Sequence, residues 1–285
     1  MKRLFAVGVM GLLSSYPAHA GENPFGYSYT AETEEPGETE LSLWATDRRG
    51  KGEGHYDAQD YRLEIERGLT DRFQTSAYVN LVSHHVRGLA PELDPVKRNL
   101  AFQGASLEFK YRLLDQAPHG IALALYVEPG WSRIRSIEGA KGTEYELEFK
   151  IIASKSLGRL LWAGNLTFEP EWELERDSSA GAIVDHHWAI ELKLEATTGL
   201  AYRLSPQWSA GVEARYASVY PNWTHGLHRE AYAVSAGPTI AFNAGEFSAS
   251  LAYLPQLFGG PSPNGARTFG EFEKREIRLR LSKGF

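Results

Sequence analysis

Histidine and carboxylate are the side chains with chemistry to offer here, because the chain contains no cysteine. Disulfides, thiolate metal ligands and thiol nucleophiles are thereby excluded together. Of the nine histidines, two groups stand out: His84-His85, and Asp185-His186-His187. Imidazoles beside a carboxylate form a donor set suited to Zn²⁺ or Cu²⁺. His55, His225 and His228 also fall in or beside expected long connections. Neighbouring residues of an extended strand point to opposite faces, so a His-His pair chelates only where loops fold back on one another. Polar loop composition explains the same residues without a metal. Glu169, Glu171 and Glu173 share a parity across Pro170 and offer a carboxylate pair for hydrolysis, although same-face carboxylates also suit a polar barrel interior. No complete catalytic motif is present, so neither an enzyme nor a cofactor is the leading expectation.

The larger body of ionic side chains follows a period of two. Between Thr143 and Ala153, Tyr145, Leu147, Phe149 and Ile151 alternate with Glu144, Glu146, Glu148 and Lys150. A helix would scatter these charges around its circumference, whereas a strand collects them on one face. The same arithmetic separates Glu108, Lys110 and Arg112 from Leu107, Phe109 and Tyr111, and Glu191, Lys193 and Glu195 from Ile190, Leu192 and Leu194. It also places Glu213 with Arg215, and Arg278 with Arg280. If the apolar parity meets lipid, these ionic residues line a lumen. They then either tune an open pore or neutralise one another across strands and fill the barrel, and the filled lumen is preferred because long side chains of both signs crowd a narrow interior.

About twelve such segments are expected, near 38–47, 56–67, 72–83, 102–113, 119–131, 143–154, 159–173, 188–203, 208–220, 229–242, 246–256 and 272–285. Many have the ~9–11 residues that a tilted strand needs to cross the hydrocarbon. Connections alternate. Five are short, such as Gly68–Asp71 and Leu204–Gln207, and six are longer, near 48–55, 84–101, 132–142, 174–187, 221–228 and 257–271. Short turns at one end and long loops at the other are the asymmetry of an outer-membrane barrel. Aromatics gather near both ends of the segments, Trp131, Tyr145, Trp188 and Tyr220 towards the long loops and Tyr111, Tyr202, Trp208 and Phe285 towards the short turns, as belts at two lipid–water interfaces would. Lipid offers no hydrogen-bond partner to a free sheet edge, so the sheet must close.

The address agrees. Lys2 and Arg3 precede a short apolar core from Leu4 to Leu13, and Ala18-His19-Ala20 is a small-x-small cleavage pattern, so residues 1–20 read as a signal peptide. Residues 21–37, with Phe25, Tyr27 and Tyr29 ahead of Glu32, Glu34 and Glu35, form a periplasmic tail or a lumenal plug, the tail being slightly preferred. The barrel takes 38–285. A formal charge of −6 for the whole chain argues against nucleic acid. Mean hydropathy is only −0.36, which alternating strands tolerate because each shows its apolar side chains on one face alone.

The terminal run Ile277-Arg278-Leu279-Arg280-Leu281-Ser282-Lys283-Gly284-Phe285 resembles the last strand of bacterial outer-membrane β-barrel proteins, with Phe285 as the terminal aromatic. The resemblance implies insertion into a Gram-negative outer membrane, in contact with its lipid, by the barrel-assembly machinery. Turns such as Gly68-Leu69-Thr70-Asp71-Arg72-Phe73 resemble those of small porin-like or putative transporter barrels. Outer-membrane phospholipase A carries a His-x-Ser-Asn-Gly motif, but Ser83-His84-His85-Val86 has the order wrong and no Ser-Asn-Gly follows any histidine. The expectation is a closed antiparallel transmembrane β-barrel, all-β, passing small solutes through a narrow charged lumen. The alternatives are an enzyme or metal-binding protein using loop histidines, and a structural barrel with partner-binding loops.

Overall fold

The computed structural model describes residues 23–52, 54–88, 95–135, 139–179, 182–260 and 271–285, with side chains undescribed from 175 to 186. The segment read as a signal peptide lies outside the described residues. Twelve strands form one closed antiparallel barrel in simple meander order: β1 (Thr39–Arg49), β2 (His55–Thr70), β3 (Phe73–Arg87), β4 (Val96–Leu114), β5 (Ala122–Ile134), β6 (Lys141–Leu157), β7 (Leu160–Ser179), β8 (Ala182–Arg203), β9 (Trp208–Pro221), β10 (Ala231–Ala244), β11 (Phe247–Gly260) and β12 (Arg275–Gly284). Closure runs along β1 and β12, paired from Glu40↔Gly284 to Arg49↔Arg275, so no edge is left without a hydrogen-bond partner in lipid.

Alternation decides which side each residue faces. On β2, Leu63 and Ile65 are about half exposed while the alternating Glu64 and Glu66 are buried. The same inversion holds on β4, where Leu107 and Phe109 are exposed and Glu108 is 1% accessible. Greasy side chains outside and ionic ones inside is the reverse of a soluble core and the arrangement of a membrane barrel.

Most strands are longer than the sequence segments at their extracellular ends, although β10 and β12 start two and three residues later than expected. β7 and β8 run to Ser179 and from Ala182, so the expected loop 174–187 is mostly a hairpin standing beyond the bilayer. Likewise β3 continues to Arg87. His84 and His85 are therefore strand residues and not loop residues, a correction that matters for metal binding. Polar strand ends carry no apolar parity against lipid, and the alternation signal fades there although pairing continues.

Residues 23–37 do not trail into the periplasm as the preferred reading had it. They enter the barrel beside the β2–β3 turn and lie in its lumen. At the rim the Gly37 amide donates to Gly68 O at 2.9 Å, and the Gly68 amide donates to Glu38 O at 3.1 Å. A Cβ on Gly68 would meet Glu35 O at 2.1 Å, so only glycine lets the segment pass this close.

Candidate functional site

The lumen is the site, and its two halves differ. The periplasmic half is occupied by the segment 23–37, held mainly through its backbone. The Glu213 carboxylate accepts hydrogen bonds from the amides of Gly26, Tyr27 and Ser28 at 2.7, 2.9 and 2.9 Å. Asn165 reads Tyr29 in both directions, its Oδ1 accepting from the amide at 2.7 Å and its Nδ2 donating to the carbonyl at 2.9 Å. Ser154 Oγ accepts from the Ala31 amide at 3.0 Å and Gln74 Oε1 from the Glu34 amide at 2.9 Å. Thr239 and Arg278 donate to Pro24 O and Gly26 O at 2.8 and 3.1 Å, and Lys110 donates to Glu32 O. A strand laid along a sheet would satisfy itself with a ladder. This segment crosses the strands, so side chains from seven of them serve its backbone instead.

Three aromatic side chains anchor it. Phe25 is fully buried against Ala163 and Ala201, which stabilises docking by ~1.5–3 kcal/mol. A Cβ on Gly199 would lie 2.6 Å from the Phe25 ring, so this lumen-facing glycine makes the socket. Tyr27 donates to Glu276 at 3.0 Å, under the guanidinium of Arg278 at 4.1 Å from its ring. Tyr29 stacks on Trp44 at 6.4 Å and meets Tyr126 edge-on at 5.7 Å. Near the rim, burial together with Glu40 and Glu38 pushes the Glu34 carboxyl up to about 7.

The lumen wall itself is cross-braced. Arg62 pairs with Glu128 at 2.5 Å, Arg215 with Glu276 at 2.5 Å and Glu195 at 3.6 Å, Arg280 with Glu40 at 2.7 Å, and Lys150 with Glu148. At the extracellular mouth, Glu273 meets Arg48 at 3.0 Å and Lys51 at 3.5 Å. Burial alone would raise this carboxyl, but Lys51 and Arg48 outweigh it and hold it at about 2.

The extracellular half opens into a cavity of about 390 Å³ whose lining includes five carboxylates, Glu144, Glu171, Glu173, Glu191 and Glu271, against the permanent cations Arg135 and Lys193. Pairing sets like charges opposite one another, Glu144↔Glu173 and Glu146↔Glu171. Lys193 answers Glu171 at 2.5 Å and Arg135 answers Glu173. Oxygens of Glu144, Glu146 and Glu171 lie within 4.8 Å of one another, an all-carboxylate set that suits a hard cation better than Zn²⁺ or Cu²⁺.

The sequence candidates distribute as follows. Glu108, Lys110, Glu146, Glu148, Lys150, Glu191, Lys193, Glu195, Glu213, Arg215, Arg278 and Arg280 lie on the parity that includes the buried lumen residues. Arg112 shares it but sits at the periplasmic rim, paired with Asp115 at 3.1 Å. Among the described residues, no group of three ligand-type side chains includes a histidine. His84 is buried with its ring 6.4 Å from that of Tyr56, while His85 faces the other way and meets Asn99 at 3.0 Å. Asp185 and His186 lie in β8, their side chains outside the described ones, and the exposed His187 reaches the vestibule lining. Phe285 closes the rim, its backbone exchanging hydrogen bonds with Thr39.

Sequence reasoning missed the residues that receive the inner segment: Asn165, Ser154, Gln74, Thr239, Gly199, Ala163 and Ala201. A signal existed. Small residues at Ala122, Ala124, Ala163, Gly199, Ala201 and Ala252 interrupt the polar parity of their strands, and small apolar groups facing a lumen mean that something else fills it.

Comparison with known proteins agrees with the architecture. A family model described as a family of unknown function, DUF6662, matches residues 17–285. No curated protein matches the sequence. Among solved structures, the β domain of the Bordetella autotransporter BrkA is similar over 88% of this chain and 100% of that chain, with a TM-score of 0.53 and 12% identity. The translocator domain of the autotransporter NalP from Neisseria meningitidis covers 90% of each chain with a TM-score of 0.49 and 11% identity. The NanC porin covers 86% of this chain and 98% of its own, with a TM-score of 0.46 and 11% identity. The first of these likenesses extends to the barrel fold and no further. With the outward apolar face and the closed ladder, it identifies an outer-membrane β-barrel protein.

Proposed function

This chain belongs to the DUF6662 family, and we propose that its barrel passes small cationic solutes across the outer membrane when residues 23–37 leave the lumen. One observation carries the reading: a single contiguous segment, continuous in sequence with β1, lies inside the lumen between the β2–β3 turn and Glu276. A barrel that merely needed filling could do so with its own inward side chains. A segment held by reversible polar bonds is able to depart, and its departure leaves a water-lined path. Cation preference follows from the vestibule, where Glu144, Glu171, Glu173, Glu191 and Glu271 exceed Arg135 and Lys193 by three charges, enough to concentrate counter-ions at the mouth. The reading invokes no catalytic step and assigns no role to the histidines.

Planar-bilayer recording tests it. The full chain should give little current, and a variant lacking residues 24–36 should give stepwise conductance with a reversal potential favouring cations. Heat-modifiable gel migration, with unboiled protein running apart from boiled, verifies that the variant is folded. A folded deletion variant as silent as the full chain ends the proposal.

A further inference from the structure

A second recess lies outside the barrel, independent of the lumen. It is an open groove of about 780 Å³ whose accessible lining is almost wholly apolar, a volume within the ~300–1,000 Å³ range of small-molecule sites. Strand register gives its course. Tyr111 pairs with Leu125, Leu125 with Ile151, Ile151 with Leu166, Leu166 with Ala196, and Ala196 with Tyr216. The recess therefore runs across the strands, and because barrel strands tilt by about 35–45° it climbs obliquely through the bilayer. Phe149 and Phe168 form the neighbouring row.

The upper end is capped. The β9–β10 connection folds down the outer wall, with the Trp223 ring 5.9 Å from that of Phe168. On the same connection Arg229 donates to the Tyr216 hydroxyl at 3.3 Å and lies 4.3 Å over the Tyr232 ring. Arg229 is exposed, and among the described residues no carboxylate pairs with it. Tyr216 joins the two features, since it lines the recess and receives the arginine. A cation resting on aromatic rings at the head of an apolar channel complements a lipid with an anionic head and a long tail.

We propose that this recess holds one acyl chain of a phosphorylated glycolipid of the outer leaflet, of the lipid A type, with its phosphate on Arg229. The extracellular position of the β9–β10 connection selects the outer leaflet. The planar guanidinium selects phosphate, and the transverse course selects a long flexible chain.

The full chain is purified from outer membranes in mild detergent, and bound lipid is counted by native mass spectrometry. About one glycolipid per barrel should persist through washes that strip bulk lipid. Arg229→Ala removes the phosphate contact, and Leu125→Trp fills the channel at the end away from Tyr216 and Arg229. Each should reduce retention about tenfold or more, while heat-modifiable migration stays normal. Equal retention by both folded variants overturns the proposal. So does a wild-type barrel that carries no glycolipid, or one that takes phosphatidylglycerol as readily when both lipids are offered in excess.

Discussion

Replacing Glu213 with alanine is the sharpest probe of the lumenal segment. The carboxylate is 2% accessible and accepts three consecutive amides at 2.7, 2.9 and 2.9 Å. A hydrogen bond to a charged group is worth ~1.5–3 kcal/mol net, and a donor left unmet in a buried site loses its full solvation. Three such bonds to one side chain do not add, and water entering the vacated space meets part of the need. The expected loss of docking free energy is therefore about 3–5 kcal/mol, a rise of roughly a hundred- to a few-thousandfold in the undocked-to-docked ratio. Hydrogen exchange reads that ratio at the amides of Tyr29, Ala31 and Glu34, whose acceptors Asn165, Ser154 and Gln74 the substitution leaves intact, and single-channel recording reads it as time spent open. Both should move by the same factor, because both report the same departure. If exchange accelerates while conductance stays at the wild-type level, the segment moves but does not gate. If neither changes in a folded barrel, the carboxylate is not what holds the segment and the energetic reasoning is wrong.

Two further perturbations address the same equilibrium. A leucine at Gly199 would collide with the Phe25 ring, which its Cβ alone would approach to 2.6 Å; an overpacking cost of ~1–3 kcal/mol should raise open probability in bilayers, and an unchanged trace would mean that Phe25 has another place to go. Docking should also weaken as pH rises. Glu34 takes up its proton near 7 when docked, chiefly through burial and then through Glu40 and Glu38, against an ordinary carboxyl near 4.3 in the free segment. Protonation therefore favours the docked form between those values, and above 7 the ionised carboxylate opposes it in full. Current should rise several-fold between pH 5 and pH 8, and Glu34→Gln should flatten that dependence; a slope of the same size in the glutamine variant would assign the titration elsewhere.

The strands were legible because lipid imposes a binary rule at every second residue. Leu63, Ile65, Leu107 and Phe109 had to be apolar, and the alternating Glu64, Glu66 and Glu108 could not be. Strand ends were not legible: beyond the bilayer neither face of β7 or β8 is constrained, so pairing past Trp172 and before Trp188 leaves no trace in the pattern. The occupant of the lumen was half legible. Phe25, Tyr27 and Tyr29 alternate like a strand but have no partner strand in sequence, and the side chains that receive the backbone of Tyr29, Ala31 and Pro24, namely Asn165, Ser154 and Thr239, come from places 123 to 215 residues away. Such contacts are fixed by the barrel's circumference, which no local pattern encodes.

Wall and occupant are held by different bonds, and that difference is what makes gating physically reasonable. The wall's braces, Arg62–Glu128, Arg215–Glu276 and Arg280–Glu40, run between side chains of the barrel itself. None needs residues 23–37 in order to form. Most of the segment's polar bonds run from barrel side chains to its own peptide groups, and water can replace each of them once the lumen is wet. Departure therefore costs the barrel no wall-to-wall ion pair, and the Glu213, Asn165 and Ser154 side chains that it frees are polar groups able to line an aqueous path. A segment fixed by a large apolar face would behave oppositely, leaving a dry cavity that the wall would have to close. The apolar contacts here are instead three small patches, Phe25 on Ala163 and Ala201, Tyr27 on Ala252 and Leu254, and Tyr29 with Ala31 on Ala122, Ala124 and Ile152, and they act as latches whose release has to come with the polar bonds.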